Sequence, residues 1–138
     1  AVPTVRPLRV LVAEDNLINQ RVTTRFLERD GHTTTVVANG REAVDEFQRH
    51  LFDLILMDVQ MPVMDGLTAT REIRNLERSL PLHTPIIALT ALSIAGDRER
   101  CIEAGMDGYV AKPIKASELR SAVDSVMSGT NVSSAGVA

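Results

Sequence analysis

Three short runs constrain this chain more than anything else in it: RVLVAED (9–15), FDLILMD (52–58) and PIIALTA (85–91). Each is almost unbroken apolar sequence. A strand with one wet face alternates apolar and polar residues; a strand covered on both faces does not, and that second pattern belongs to a parallel sheet held between helix layers. Two weaker runs, TTTVVA (33–38) and GYVAK (108–112), supply further strands.

Helical periodicity fills the gaps. Ile18, Val22 and Phe26/Leu27 form one stripe. Ala43, Val44 and Phe47 form a second after the Asn39–Gly40 turn. Leu67, Thr70 and Ile73 form a third that Asp65 is placed to cap. Ile94, Cys101, Ile102 and Ala104 point to a fourth, stopped by Gly105. Leu119, Ala122, Val123 and Val126 give the clearest i, i+3, i+4, i+7 pattern, with Ser117 as the expected N-cap. Strand and helix alternate five times, which predicts a doubly wound α/β domain with right-handed crossovers. The tail from Ser128 onward is small, polar and patternless, and reads as frayed.

Composition narrows the function classes. A chain of 138 residues is one domain on size grounds, with no apolar run near the length of a membrane span and no secretory-signal pattern at the start. The net charge of −3 and pI near 5.6, with no basic block, disfavour nucleic acid and anionic membrane. Aromatic residues make up 3%, too few for a base-stacking platform. A lone cysteine, Cys101, fits a reducing compartment, most simply the cytoplasm.

In open α/β sheets, ligands bind beyond the carboxyl ends of the strands. Those ends read Glu14–Asp15, Asp58, Thr90–Ala91 and Lys112–Pro113. If the strands are parallel, three carboxylates, a hydroxyl and an ammonium meet on one rim. Two carboxylates about 4 Å apart repel by about 4 kcal/mol at an effective dielectric of 20. Three acids against one lysine leave a formal −2, which a divalent cation cancels. Mg²⁺ suits such an oxygen set, with Mn²⁺ the second candidate. His32, His50 and His83 are scattered and read as surface or turn residues, so no soft-metal set exists. A carboxylate beside a hard cation and a lysine is equipment for phosphoryl transfer, with the carboxylate as nucleophile. Taken singly, each group has an ordinary reading: Glu14–Asp15 as a solvated strand end, Thr90 as a strand former, Lys112–Pro113 as a loop.

The motifs LVAEDN, LILMDVQMPVMDG, IIALTA and GYVAKPI together resemble the receiver domain of two-component response regulators, over residues 8 to 128. Residues 1–7 then read as an extension and 129–138 as a flexible tail. The resemblance implies a flavodoxin-like (βα)5 fold with strand order 2-1-3-4-5, an order the handedness rules alone do not give. It implies Asp58 as phosphoacceptor. Glu14, Asp15, Asp58 and the Gln60 backbone carbonyl are implied as the Mg²⁺ set, with Glu14 acting through water. Thr90 and Lys112 would hold phosphoryl oxygens, Tyr109 would change rotamer with Thr90, and the Lys112–Pro113 bond would be cis. Gln60 and Leu92 match positions that tune the lifetime of the phosphorylated state.

The implied phosphodonor is a histidine kinase or a histidine-phosphotransfer protein. The implied output surface is the helix 4–strand 5–helix 5 face around residues 102–104 and Tyr109, also a candidate weak dimer contact. Such a domain alone turns over nothing beyond its own phosphorylation and dephosphorylation. With no effector region expected after residue 128, the wording of the motifs looks most like receivers of hybrid sensor histidine kinases, placing the domain in the cytoplasm or on the cytoplasmic side of a membrane-bound kinase. The alternatives are a stand-alone regulator, a Mg-dependent phosphatase with an aspartyl nucleophile, a nucleotide-binding domain and a structural interaction module. Gln60 stands where the phosphatase pattern wants a second acid. The nucleotide reading lacks a glycine-rich loop after the first strand.

Overall fold

The alternation of periodicities produces ten elements in strict order: β1 (Arg9–Ala13), α1 (Leu17–Arg29), β2 (Thr33–Val37), α2 (Gly40–Arg49), β3 (Leu54–Asp58), α3 (Gly66–Glu77), β4 (Ile86–Thr90), α4 (Ala95–Ala104), β5 (Gly108–Ala111) and α5 (Ala116–Met127). The computed structural model describes residues 6–91 and 95–128. The five strands form one parallel sheet in the order β2-β1-β3-β4-β5. The reversal of winding between β1 and β3 puts helices on both faces and creates a crevice at the carboxyl edge.

Side-chain alternation divides the core in two. Leu11, Ala13, Ile55, Met57, Ile86 and Ala88 face α2, α3 and α4, where they meet Ala43, Val44, Leu67, Ile73, Cys101 and Ala104. Val10, Val12, Leu54, Leu56, Ile87 and Leu89 face α1 and α5, where they meet Leu27, Leu119, Val123 and Val126. Both faces are covered, which explains why β1, β3 and β4 lack alternation in sequence. Each fully buried Val, Leu, Ile or Met contributes about 1.5–3 kcal/mol, and such residues make up most of β1, β3 and β4.

Several local expectations need correction. The strands are shorter than the apolar runs: β1 stops at Ala13 and β3 starts at Leu54. Thus Glu14 and Asp15 lie in the loop just past the strand. Ile18 is 70% exposed; of the expected stripe Leu27 is buried, Val22 and Phe26 are half-buried, and Thr23 is buried as well. Ser117 is inside α5; Lys115 holds the N-cap position, without a side-chain cap bond. His32 is buried, not a surface residue: its Nδ1 accepts the Leu8 N–H at 3.0 Å. Burial holds that imidazole below its ordinary value. Asp65 does cap α3, accepting the Thr68 N–H at 2.8 Å.

At the amino ends of β4 and β5 a polar network stands in for apolar packing. Arg74 of α3 donates to Glu77 Oε1 (2.7 Å), the Thr84 carbonyl (2.8 Å), Asp107 Oδ2 (2.8 Å) and the Gly105 carbonyl (2.9 Å). Glu77 and Asp107 in turn accept the backbone N–H groups of Thr84 and Ile86. No helix among the described residues is long and apolar enough to cross a membrane.

Candidate functional site

All five strands point the same way, so their carboxyl ends share one edge. β1 delivers Glu14 and Asp15 just beyond its last residue, β3 delivers Asp58 as its last residue, β4 ends on Thr90, and Lys112 follows β5. These residues line one cleft of about 560 Å³, together with Asn16, Gln60, Asp65 and Arg100. Of the predicted set, Glu14, Asp15, Asp58, Gln60, Thr90 and Lys112 therefore come together. Tyr109 is not part of the cleft lining; it is 42% exposed, with the Arg98 guanidinium 5.2 Å from its ring centroid. Ile102 is exposed but Ala104 is buried, so only part of the predicted output face is available. Leu92 lies outside the described residues, as does Ile94.

Asp58 is 3% exposed and engaged on both oxygens. Oδ1 accepts the Gln60 N–H at 3.1 Å, and Oδ2 accepts Lys112 Nζ at 2.9 Å. The loop after it is held close by Gly66, whose N–H donates to the Val59 carbonyl at 3.0 Å; any Cβ at Gly66 would collide with the Asp58 carbonyl oxygen. Lys112 comes from a loop with a cis Lys112–Pro113 bond, and its N–H donates to the Thr90 carbonyl at 2.8 Å.

Glu14 is fully buried. Its Oε2 accepts the Asn16 N–H at 3.1 Å, and its backbone carbonyl accepts Gln20 Nε2 at 2.6 Å. Lys112 Nζ stands 3.1 Å from Oε1 as a charge contact, but off hydrogen-bonding geometry, so that buried oxygen has no hydrogen-bond partner. Burial, then the neighbouring Asp58, push the Glu14 carboxyl up to about 7. Burial alone would lower Lys112, but Asp58 and then Glu14 outweigh it and hold the ammonium above its ordinary value. The rim is thus short of positive charge.

A hard divalent cation fits these residues. One oxygen from each of Glu14, Asp15 and Asp58 lies within 4.8 Å of the others. The unpartnered Glu14 Oε1 and the raised Glu14 pKa show carboxylates that the protein's own donors do not satisfy.

Sequence reasoning missed Asn16, Gln20 and Arg100. Asn16 had a signal, since an Asn ahead of an apolar-periodic stretch is an N-cap candidate; it caps α1 by accepting the Asn19 N–H at 3.0 Å. Gln20 and Arg100 sit on helix faces that periodicity marks only as polar.

Comparison with known proteins agrees with this geometry. The family model "Response regulator receiver domain" matches residues 10–124. The chain is 40% identical over 122 residues to hybrid signal transduction histidine kinase K of Dictyostelium discoideum, covering 85% of this chain and 10% of that protein. It superposes with a TM-score of 0.80 and 44% identity on the receiver domain of a sensor histidine kinase from Pseudomonas aeruginosa, covering 89% of this chain and 99% of that one. That structure holds a magnesium ion in its active-site cleft. A third likeness, with a TM-score of 0.75 and 31% identity, is to the Saccharomyces cerevisiae receiver domain of Ssk1, solved with the histidine phosphotransfer protein Ypd1; it covers 82% of this chain and 83% of that one.

The chain belongs to the response regulator receiver domain family, a family of phosphoacceptor domains. It spans about a tenth of the length of the Dictyostelium kinase it matches, and the part of such hybrid histidine kinases that it matches is their receiver.

Proposed function

We propose that Asp58 is the phosphoacceptor and takes its phosphoryl group from a phosphohistidine in a Mg²⁺-dependent reaction. The observation that carries this is the placement of Asp58: buried, oriented by Gln60 N–H and Lys112 Nζ, with Glu14 and Asp15 beside it. A carboxylate oxygen attacks phosphorus, a P–O bond forms as the P–N bond breaks, and the imidazole leaves and takes up a proton. Lys112, already on Asp58, is placed to stay with the phosphoryl oxygens as charge passes to them. Thr90 ends β4 beside it and offers a hydroxyl. Glu14, Asp15, Asp58 and the Gln60 carbonyl would hold Mg²⁺, which supplies charge neutralisation for donor and product.

The reading extends to context. The relatives support a receiver carried by a hybrid sensor histidine kinase, with a kinase or phosphotransfer domain as donor. Loss of one negative charge from Asp58 and gain of about two on the phosphoryl group would draw Thr90 inward and bias Tyr109, changing the α4–β5–α5 face. Incubation with a phosphorylated histidine-phosphotransfer domain tests the donor. Phosphoryl transfer to this chain is expected with Mg²⁺, and neither in EDTA nor with Asp58→Asn. Transfer that ignores the metal contradicts the reading.

A further inference from the structure

Among the described residues, α4 carries two exposed arginines, Arg98 and Arg100. Two residues along an α-helix is a rotation of about 200°, so they leave opposite sides. Arg98 lies over the Tyr109 ring, with Cζ 5.2 Å from its centroid. Arg100 lines the cleft that holds Asp58, Glu14, Asp15 and Lys112. One short helix therefore places a guanidinium at the site and another at the aromatic ring on its far side.

We propose that Arg100 is a second phosphoryl-recognising cation of this cleft; the inference rests on Asp58 being the phosphoacceptor. Lys112 is committed to two carboxylates, at 2.9 Å from Asp58 and 3.1 Å from Glu14. The lining adds a fourth acid, Asp65. A phosphodonor entering this acidic cleft brings further negative charge, and one shared ammonium covers little of it. A guanidinium presents a planar fork that fits two phosphoryl oxygens at once. Arg100 is already engaged in the resting protein, so recognition is an exchange of partners.

A cation that helps the phosphoryl group must also repel the metal. Its removal therefore does not weaken phosphoryl recognition and metal binding in parallel, as the loss of a merely structural residue would. The test measures phosphorylation by acetyl phosphate at saturating Mg²⁺, and Mg²⁺ affinity by calorimetry, for wild type, Arg100→Gln, Arg100→Lys and Arg98→Gln. Arg100→Gln is expected to slow phosphorylation about tenfold, the loss of one charge-assisted contact, while Mg²⁺ affinity holds or tightens. Arg100→Lys should recover part of the rate, because it restores charge without the fork. Arg98→Gln, the same charge removed from the other side of the helix, should stay within twofold. A rate for Arg100→Gln within twofold of wild type overturns the inference, as does a parallel fall in Mg²⁺ affinity. Failure of wild type to react at all would instead remove the phosphoacceptor reading beneath it.

Discussion

At the scale of single residues, Glu14 shows how the site stores unsatisfied charge. Its carboxyl is pushed from 4.5 to about 7, first by burial and then by Asp58. A carboxyl whose folded value is raised adds stability that is complete below its unfolded value and lost as pH rises through the folded one. The metal-free protein should therefore lose Glu14-linked stability between about pH 4.5 and 7. In EDTA, Glu14→Gln should be more stable than wild type at pH 8, with the gap closing toward pH 5, as read by thermal unfolding. The same proton competes with the cation, so wild-type Mg²⁺ affinity should weaken as pH falls through about 7. Glu14→Gln should bind the metal less tightly and with a flatter pH profile. A wild-type affinity that does not change across this window would contradict the assignment of Glu14 to the metal set.

At the scale of elements, the sheet was legible and its polar supports were not. Runs such as LILM announce a strand covered on both faces because burial on both sides removes alternation. Asp65 announced the start of α3 because its side chain answers a local N–H. Arg74 announced nothing: its partners at Gly105, Thr84 and Asp107 are 10 to 33 residues away, and no local pattern encodes them. His32 does lie in the connection between α1 and β2, but its burial was hidden for the same reason, since its partner is Leu8 across the sheet edge. Arg74 joins α3 to the segments entering β4 and β5, with Glu77 buried against it. Arg74→Met should cost about 3 kcal/mol, the usual loss when one partner of a buried ion pair is removed. Urea denaturation measures it, and a loss under about 1 kcal/mol would show the network to be screened like a surface pair.

At the scale of the whole molecule, the fold converts five separate stretches of sequence into one cleft. Glu14, Asp58, Thr90 and Lys112 stand at the ends of different strands, and parallel pairing in the order β2-β1-β3-β4-β5 brings them together. That convergence was readable because each acid or lysine directly follows an apolar run, and a parallel sheet leaves such residues on one edge. The strand order was not readable from pattern; it came with the resemblance. Arg100 was invisible because α4 reaches the cleft by tertiary packing alone. The central claim is that this machinery phosphorylates Asp58. Intact-mass and peptide analysis after incubation with acetyl phosphate and Mg²⁺ tests it most directly. The prediction is one hydroxylamine-labile phosphoryl group on Asp58 in wild type, and none on Asp58→Asn. An adduct of equal extent on Asp58→Asn, or none on the wild-type protein, would contradict it.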